Sequence, residues 1–191
     1  MSKKGFYFAL IISISFFCCM HSVPSRAEDA CLTDITVTDA NKERLTVSFN
    51  VKDCFTDDMS EAIMNGIPVK FTFIVKLYEL IDGQFDPKIA DIRLMHKIEY
   101  NALKKEFTLF LPEQTDKEVK TKDFNEAKKL MTKVVGLKVI GLDELKQGSR
   151  YKLRTKAELD KIELPFYLDY VFFFLSLWDF ETDWYAIVFR Y

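Results

Sequence analysis

The sequence predicts a mainly β protein: an antiparallel β-sandwich, immunoglobulin-like in outline, with two or three short helices as crossovers between the sheets. Three observations predict it. Apolar and polar residues alternate in many segments, as in Val69-Lys70-Phe71-Thr72-Phe73, which is the period of a strand with one buried face. Turn-forming residues separate these segments. Helical spacing behind a capping residue occurs in only two places, and both runs are short.

At the front of the chain, Lys3 and Lys4 precede the apolar run Gly5 to Met20, followed by Pro24, Ser25 and Ala27. That is the order of a cleavable signal peptide over residues 1–27. The run is shorter than the about 20 apolar residues that span a bilayer. An uncleaved inner-membrane anchor is the structural alternative. A lipid anchor is not expected, because Phe16 and Phe17, not small residues, precede Cys18 and Cys19. One β-rich domain over residues 28–191 is expected, periplasmic or secreted.

Removing residues 1–27 takes away three of the 27 basic residues and none of the 29 acidic ones, so the net charge moves from −2 to −5. A negative chain argues against nucleic acid as a partner and allows membrane contact only at the periphery.

Two cysteines remain, Cys31 and Cys54, and in an oxidising compartment they are expected to pair as a disulfide. Ile35 and Val37 alternate with threonines, and Leu45, Val47, Phe49 and Val51 alternate with polar residues across a polar turn at 39–44. This is a β-hairpin. Setting Ile35 against Phe49 and Val37 against Val47 leaves Cys31 one residue out of register with Cys54, so the disulfide requires a bulge or an irregular end. Two buried reduced thiols are the alternative.

Thr56-Asp57-Asp58 caps a helix over Met59 to Asn65, stopped by Gly66 and Pro68. A long strand starts at Val69 and runs to Leu80. Turns at Asp82-Gly83 and Asp86-Pro87 lead to a strand over Ala90 to Tyr100, with Ile92, Leu94, His96, Ile98 and Tyr100 on one face. A further strand covers Phe107 to Leu111. Pro112 to Lys122 reads as a charged loop without apolar anchors. Asp123 caps a second helix, in which Phe124, Ala127, Leu130, Met131, Val134 and Val135 recur at helical spacing and Gly136 is the stop. Strands follow at 137–142 and 151–159, then a short helical or extended piece at 167–175 and a final strand at 184–189.

Read in order, several segments resemble the family of exported bacterial proteins known as domain of unknown function 4390. They are Glu61-Ala62-Ile63-Met64-Asn65-Gly66-Ile67-Pro68-Val69, Glu99-Tyr100-Asn101-Ala102-Leu103, Phe124-Asn125-Glu126-Ala127, Leu159-Asp160-Lys161-Ile162-Glu163-Leu164-Pro165-Phe166, and Trp178 with Asp183-Trp184. The two cysteines and the Phe-rich stretch 172–174 depart from the pattern. The resemblance implies an envelope protein, hints at signalling beside a membrane sensor, and carries over no catalytic residue.

His96 is the one histidine after residue 27. Nucleophilic triads and zinc sites would both depend on it, and its place on an apolar strand face makes it a core residue. No phosphate loop, dinucleotide glycine pattern or Gly-x-Ser-x-Gly elbow occurs, and no cofactor is expected. Asp169, Asp179, Glu181 and Asp183 gather near the C-terminus, where a carboxylate pair would serve a hydrolase. Lys152, Arg154 and Lys156 alternate as a basic stripe, with Lys161 nearby, and are read as a solvated strand face. Burial between the two sheets is the default reading of the apolar segment 166–178; the sharper one is a partner or ligand surface of Phe166, Tyr170, Phe173, Phe174, Trp178 and Trp184, because aromatic side chains dominate interface energetics. The expected function is therefore a non-catalytic interaction module that binds an envelope protein. Carriage of a small apolar ligand between the sheets, or a carboxylate hydrolase, are the alternatives.

Overall fold

Residues 30–40, 42–160 and 181–191 are described by the computed structural model. They form β1 (Cys31–Ala40), β2 (Arg44–Lys52), α1 (Asp57–Met64), β3 (Val69–Leu80), β4 (Lys88–Asn101), β5 (Glu106–Phe110), β6 (Val119–Thr121), α2 (Phe124–Thr132), β7 (Lys133–Gly141), β8 (Arg150–Leu159) and β9 (Tyr185–Arg190). The signal peptide and the 167–175 piece lie outside the described residues.

The strands build two antiparallel sheets, one in the order β1-β2-β7 and one in the order β6-β5-β4-β3-β8-β9. Both helices carry the chain between them, α1 from β2 to β3 and α2 from β6 to β7, which is the expected crossover role. The sheet membership departs from the immunoglobulin outline: six strands lie in one sheet, and β3 to β6 form a plain meander.

Alternation explains the core. Val69, Phe71, Phe73, Val75 and Leu77 of β3 are fully buried, as are Ile98 of β4, Leu109 of β5 and Leu153 of β8. The three-stranded sheet contributes Val47, Phe49 and Val134 to the same core. Phe49 and Phe73 meet edge to face at 5.7 Å, joining the two sheets. Burying one such ring stabilises the fold by about 2–3 kcal/mol.

α1 starts where expected, with the Met59 N–H donating to Thr56 Oγ1 at 3.2 Å. The start of α2 is capped by Asp123 Oδ1, which accepts from the Asn125 N–H at 2.8 Å. Its end differs. The helix stops at Thr132, and Val134 and Val135 belong to β7, because Val134 pairs with Phe49 in the ladder with β2. Gly136 is a kink within that strand, at φ +62°, and its N–H donates to Ser48 Oγ at 2.9 Å. The charged loop also differs, since it contains β6, paired with β5.

The expected disulfide is absent, and Cys31 and Cys54 are both free thiols, the first exposed and the second buried. Val37 does face Val47. However, a register shift between Thr33 and Thr36 sets Cys31 opposite Lys52, farther from Cys54 than an unbroken ladder would. Asp34 makes the shift at φ +55°, held by Asn50 Nδ2 donating to its Oδ2 at 2.9 Å.

Candidate functional site

β3 and β8 run side by side for ten residue pairs, which sets Lys76 directly opposite Arg154, with Tyr78 opposite Lys152 and Ile74 opposite Lys156. All of these stand on the face away from the inter-sheet core, where Ile74 and Lys156 are buried and Lys76, Tyr78, Lys152 and Arg154 are half-buried. Trp184, just before β9, is the described member of the expected aromatic surface. Its indole lies under three cations, with Arg154 Cζ at 4.7 Å, Lys76 Nζ at 5.0 Å and Lys156 Nζ at 5.8 Å from the ring centroid. Such contacts each contribute about 0.5–1 kcal/mol when exposed.

The backbone two residues earlier holds the indole in place. Thr182 N–H donates to the Ala157 carbonyl at 2.9 Å, and Thr182 Oγ1 accepts from the Ala157 N–H at 3.0 Å. Thr182 is buried. Glu181 pairs with Lys156. The stripe read as a solvated face therefore holds aromatic and acidic neighbours. Phe166, Tyr170, Phe173, Phe174 and Trp178 lie outside the described residues, as do Asp169, Asp179 and Lys161.

Asp183 and Trp184, with Thr182 and Tyr185, also line a rim cleft of about 210 Å³ whose other wall is Ala30, Cys31 and Leu32. This is below the about 300 Å³ of small-molecule pockets. Among the described residues no cluster of His, Cys, Asp and Glu could hold a metal ion, and no helix is long and apolar enough to cross a membrane.

His96 is the buried core residue that its strand face predicts, and it is saturated. Its Nδ1 lies 2.9 Å from the Met131 carbonyl, and its Nε2 lies 2.9 Å from Glu113 Oε2. Phe73 packs edge-on against the ring at 4.8 Å. A carbonyl only accepts, so Nδ1 carries a proton, and one further proton sits in the bond to Glu113. Burial pushes the Glu113 carboxyl up, but the hydrogen bond and charge of His96 outweigh it, and the carboxyl lies below its ordinary value. Both side chains are sealed, at 0 and 2 % exposure, so the pair ties β4, α2 and the segment after β5 together. Glu113 escaped sequence reasoning. The signal was present, because Phe107, Leu109 and Leu111 point inward and the same period of two reaches residue 113.

The sheet edges differ in how they are protected. β1 carries the bulge at Asp34, β7 carries Lys133, Lys138 and the Gly136 kink, and β6 has three residues. These are the usual guards against added strands. β9 has none of them. It pairs with β8 in unbroken register over six residues, ends the six-stranded sheet among the described residues, and exposes Tyr185 and Val188. Its single charge is the terminal Arg190.

A model of the family described as "Domain of unknown function (DUF4390)" matches residues 27–188. No curated protein and no solved structure matches the chain.

Proposed function

The chain belongs to the DUF4390 family, and from that membership we propose that it is a non-catalytic interaction module of the cell envelope, taking an extended segment of a partner protein as an added strand beside β9. The unguarded edge carries this reading. β9 offers a regular row of backbone donors and acceptors, flanked by the exposed side chains of Tyr185 and Val188, and strand addition draws affinity from main-chain hydrogen bonds of this kind. A membrane sensor is the proposed partner class, which the family resemblance hints at. The periplasm is the proposed compartment. Lys3, Lys4 and the apolar run Gly5 to Met20 support it, and the family match begins at residue 27, where the signal peptide is expected to end. The centre of the inter-sheet space is filled by Phe49, Phe71 and Phe73, all buried, which favours a module over a carrier.

The test places a photo-crosslinking residue at Val188, or at Val135 on the other sheet as control, in intact cells. The module yields one saturable protein adduct from position 188 that Ala186→Lys abolishes. No adduct, or equal adducts from both positions, would overturn the reading.

A further inference from the structure

We infer that the outward face of the six-stranded sheet docks on an anionic bilayer surface, with Lys76, Arg154 and Trp184 at its centre. The argument starts from the strand period. On β8 the inward positions Tyr151, Leu153, Thr155 and Ala157 are buried. The outward positions are Arg150, which is exposed, Lys152, Arg154 and Glu158, which are half-buried, and Lys156, which is buried. β3 adds Lys70 and Lys76 to the same face, and β4 adds Arg93 and Lys97 against Asp91 and Glu99. The chain as a whole carries a net charge of −2. Positive charge is thus concentrated on one broad face of an acidic protein, and such segregation steers anionic partners.

The centre of the face is unfavourable in isolation. Lys76 and Arg154 stand directly opposite one another, and like charges so placed repel. Neighbouring cations are held by carboxylates: Lys152 by Asp86, Arg150 by Asp82, and Lys156 by Glu158 and Glu181. Asp91, which faces Lys76 across the ladder with β4, is bonded instead to Lys88 at 2.5 Å. Lys76 and Arg154 form no ion pair among the described residues and share the Trp184 indole. An anionic group settling between them would relieve the repulsion.

Breadth and composition select a bilayer over an acidic peptide. Thr72, Ile74 and Lys156 on the two middle strands are buried, but the exposed outward residues Phe110 on β5 and Val188 on β9 stand four strand spacings apart, about 19 Å at about 4.8 Å each, wider than an extended peptide covers. Met95, Phe110 and Val188 are exposed on this same face among the cations. Cations interleaved with apolar side chains and a tryptophan suit the headgroup boundary, where each Lys or Arg near an anionic surface contributes by attraction.

The test compares partition of the full chain into vesicles of phosphatidylcholine alone and of phosphatidylcholine mixed with phosphatidylglycerol. We expect an excess in the mixed vesicles that high salt removes. The double variant Lys76→Gln/Arg154→Gln is expected to lower that excess about thirtyfold while its circular dichroism holds. Lack of an excess, or an unchanged excess in the variant, would overturn the inference. So would variant-sensitive binding to polyglutamate without vesicle binding, which would assign the face to an acidic polypeptide. Ala186→Lys separates this inference from strand addition: it is expected to remove the adduct from position 188 and leave vesicle binding equal or stronger.

Discussion

Glu113 Oε2 lies 2.9 Å from His96 Nε2, and both side chains are closed to water. The carboxylate and the ring share one hydrogen bond whose second anchor is the carbonyl of Met131 at the end of α2. Removing one partner leaves the other buried without compensation, so Glu113→Ala is expected to cost about 3–5 kcal/mol. Urea unfolding followed by tryptophan fluorescence checks it.

The same pair sets a response to acid. The folded carboxyl lies below its ordinary value, so its contribution is complete above about pH 5 and is lost as pH falls through the lower folded value. We expect the wild-type stability to fall more steeply than that of Glu113→Gln below about pH 4. Parallel slopes in a pH series of denaturant midpoints would contradict the assignment.

The two thiols are expected to differ in reactivity. Burial pushes the Cys54 thiol up to about 12, which leaves almost no thiolate at neutral pH, whereas Cys31 is exposed. Brief maleimide treatment of the native protein followed by peptide mass mapping is expected to find Cys31 modified and Cys54 untouched until denaturant is added.

Thr155 Oγ1 is buried without a hydrogen-bond partner, and an unsatisfied buried hydroxyl is destabilising. Thr155→Val keeps the shape and removes the polar group. An increase in stability of about 1 kcal/mol is expected, read as a higher melting temperature.

Gly136 occupies a left-handed conformation at φ +62° with open space where a Cβ would stand. Gly136→Ala therefore tests backbone strain without a steric clash, and a loss of about 1–2 kcal/mol is expected. Gly136→Asn is expected to cost less, since asparagine tolerates this region better.

Most of the architecture was legible because the core residues recur at a period of two in β3 and β4, even though Thr72 and Ile74 on the other face of β3 are buried as well, and because Thr56 and Asp123 mark their helix starts. The failures share one cause, pairing between segments distant in sequence. Val134 and Val135 suit the helical spacing of α2, but Phe49 claims Val134 for a ladder, and tertiary pairing overrides local spacing. The bulge at Asp34 moved Cys31 away from Cys54 by a shift that no local signal announces. At the candidate site the stripe on β8 and the tryptophan were visible separately. Their juxtaposition with Lys76 depends on β3 and β8 being neighbours, which neither segment encodes alone.

The place of β7 in the three-stranded sheet has a consequence for assembly. The hairpin of residues 31–52 is complete early as the chain emerges N-terminus first from a ribosome or a pore. Its apolar face waits for residues 133–141, some eighty positions later, and for β3 to close the core. Non-local closure of this kind slows folding and leaves adhesive surface uncovered meanwhile. A fragment ending before β7 is expected to aggregate instead of folding, and a holding chaperone would act on the nascent chain in that interval.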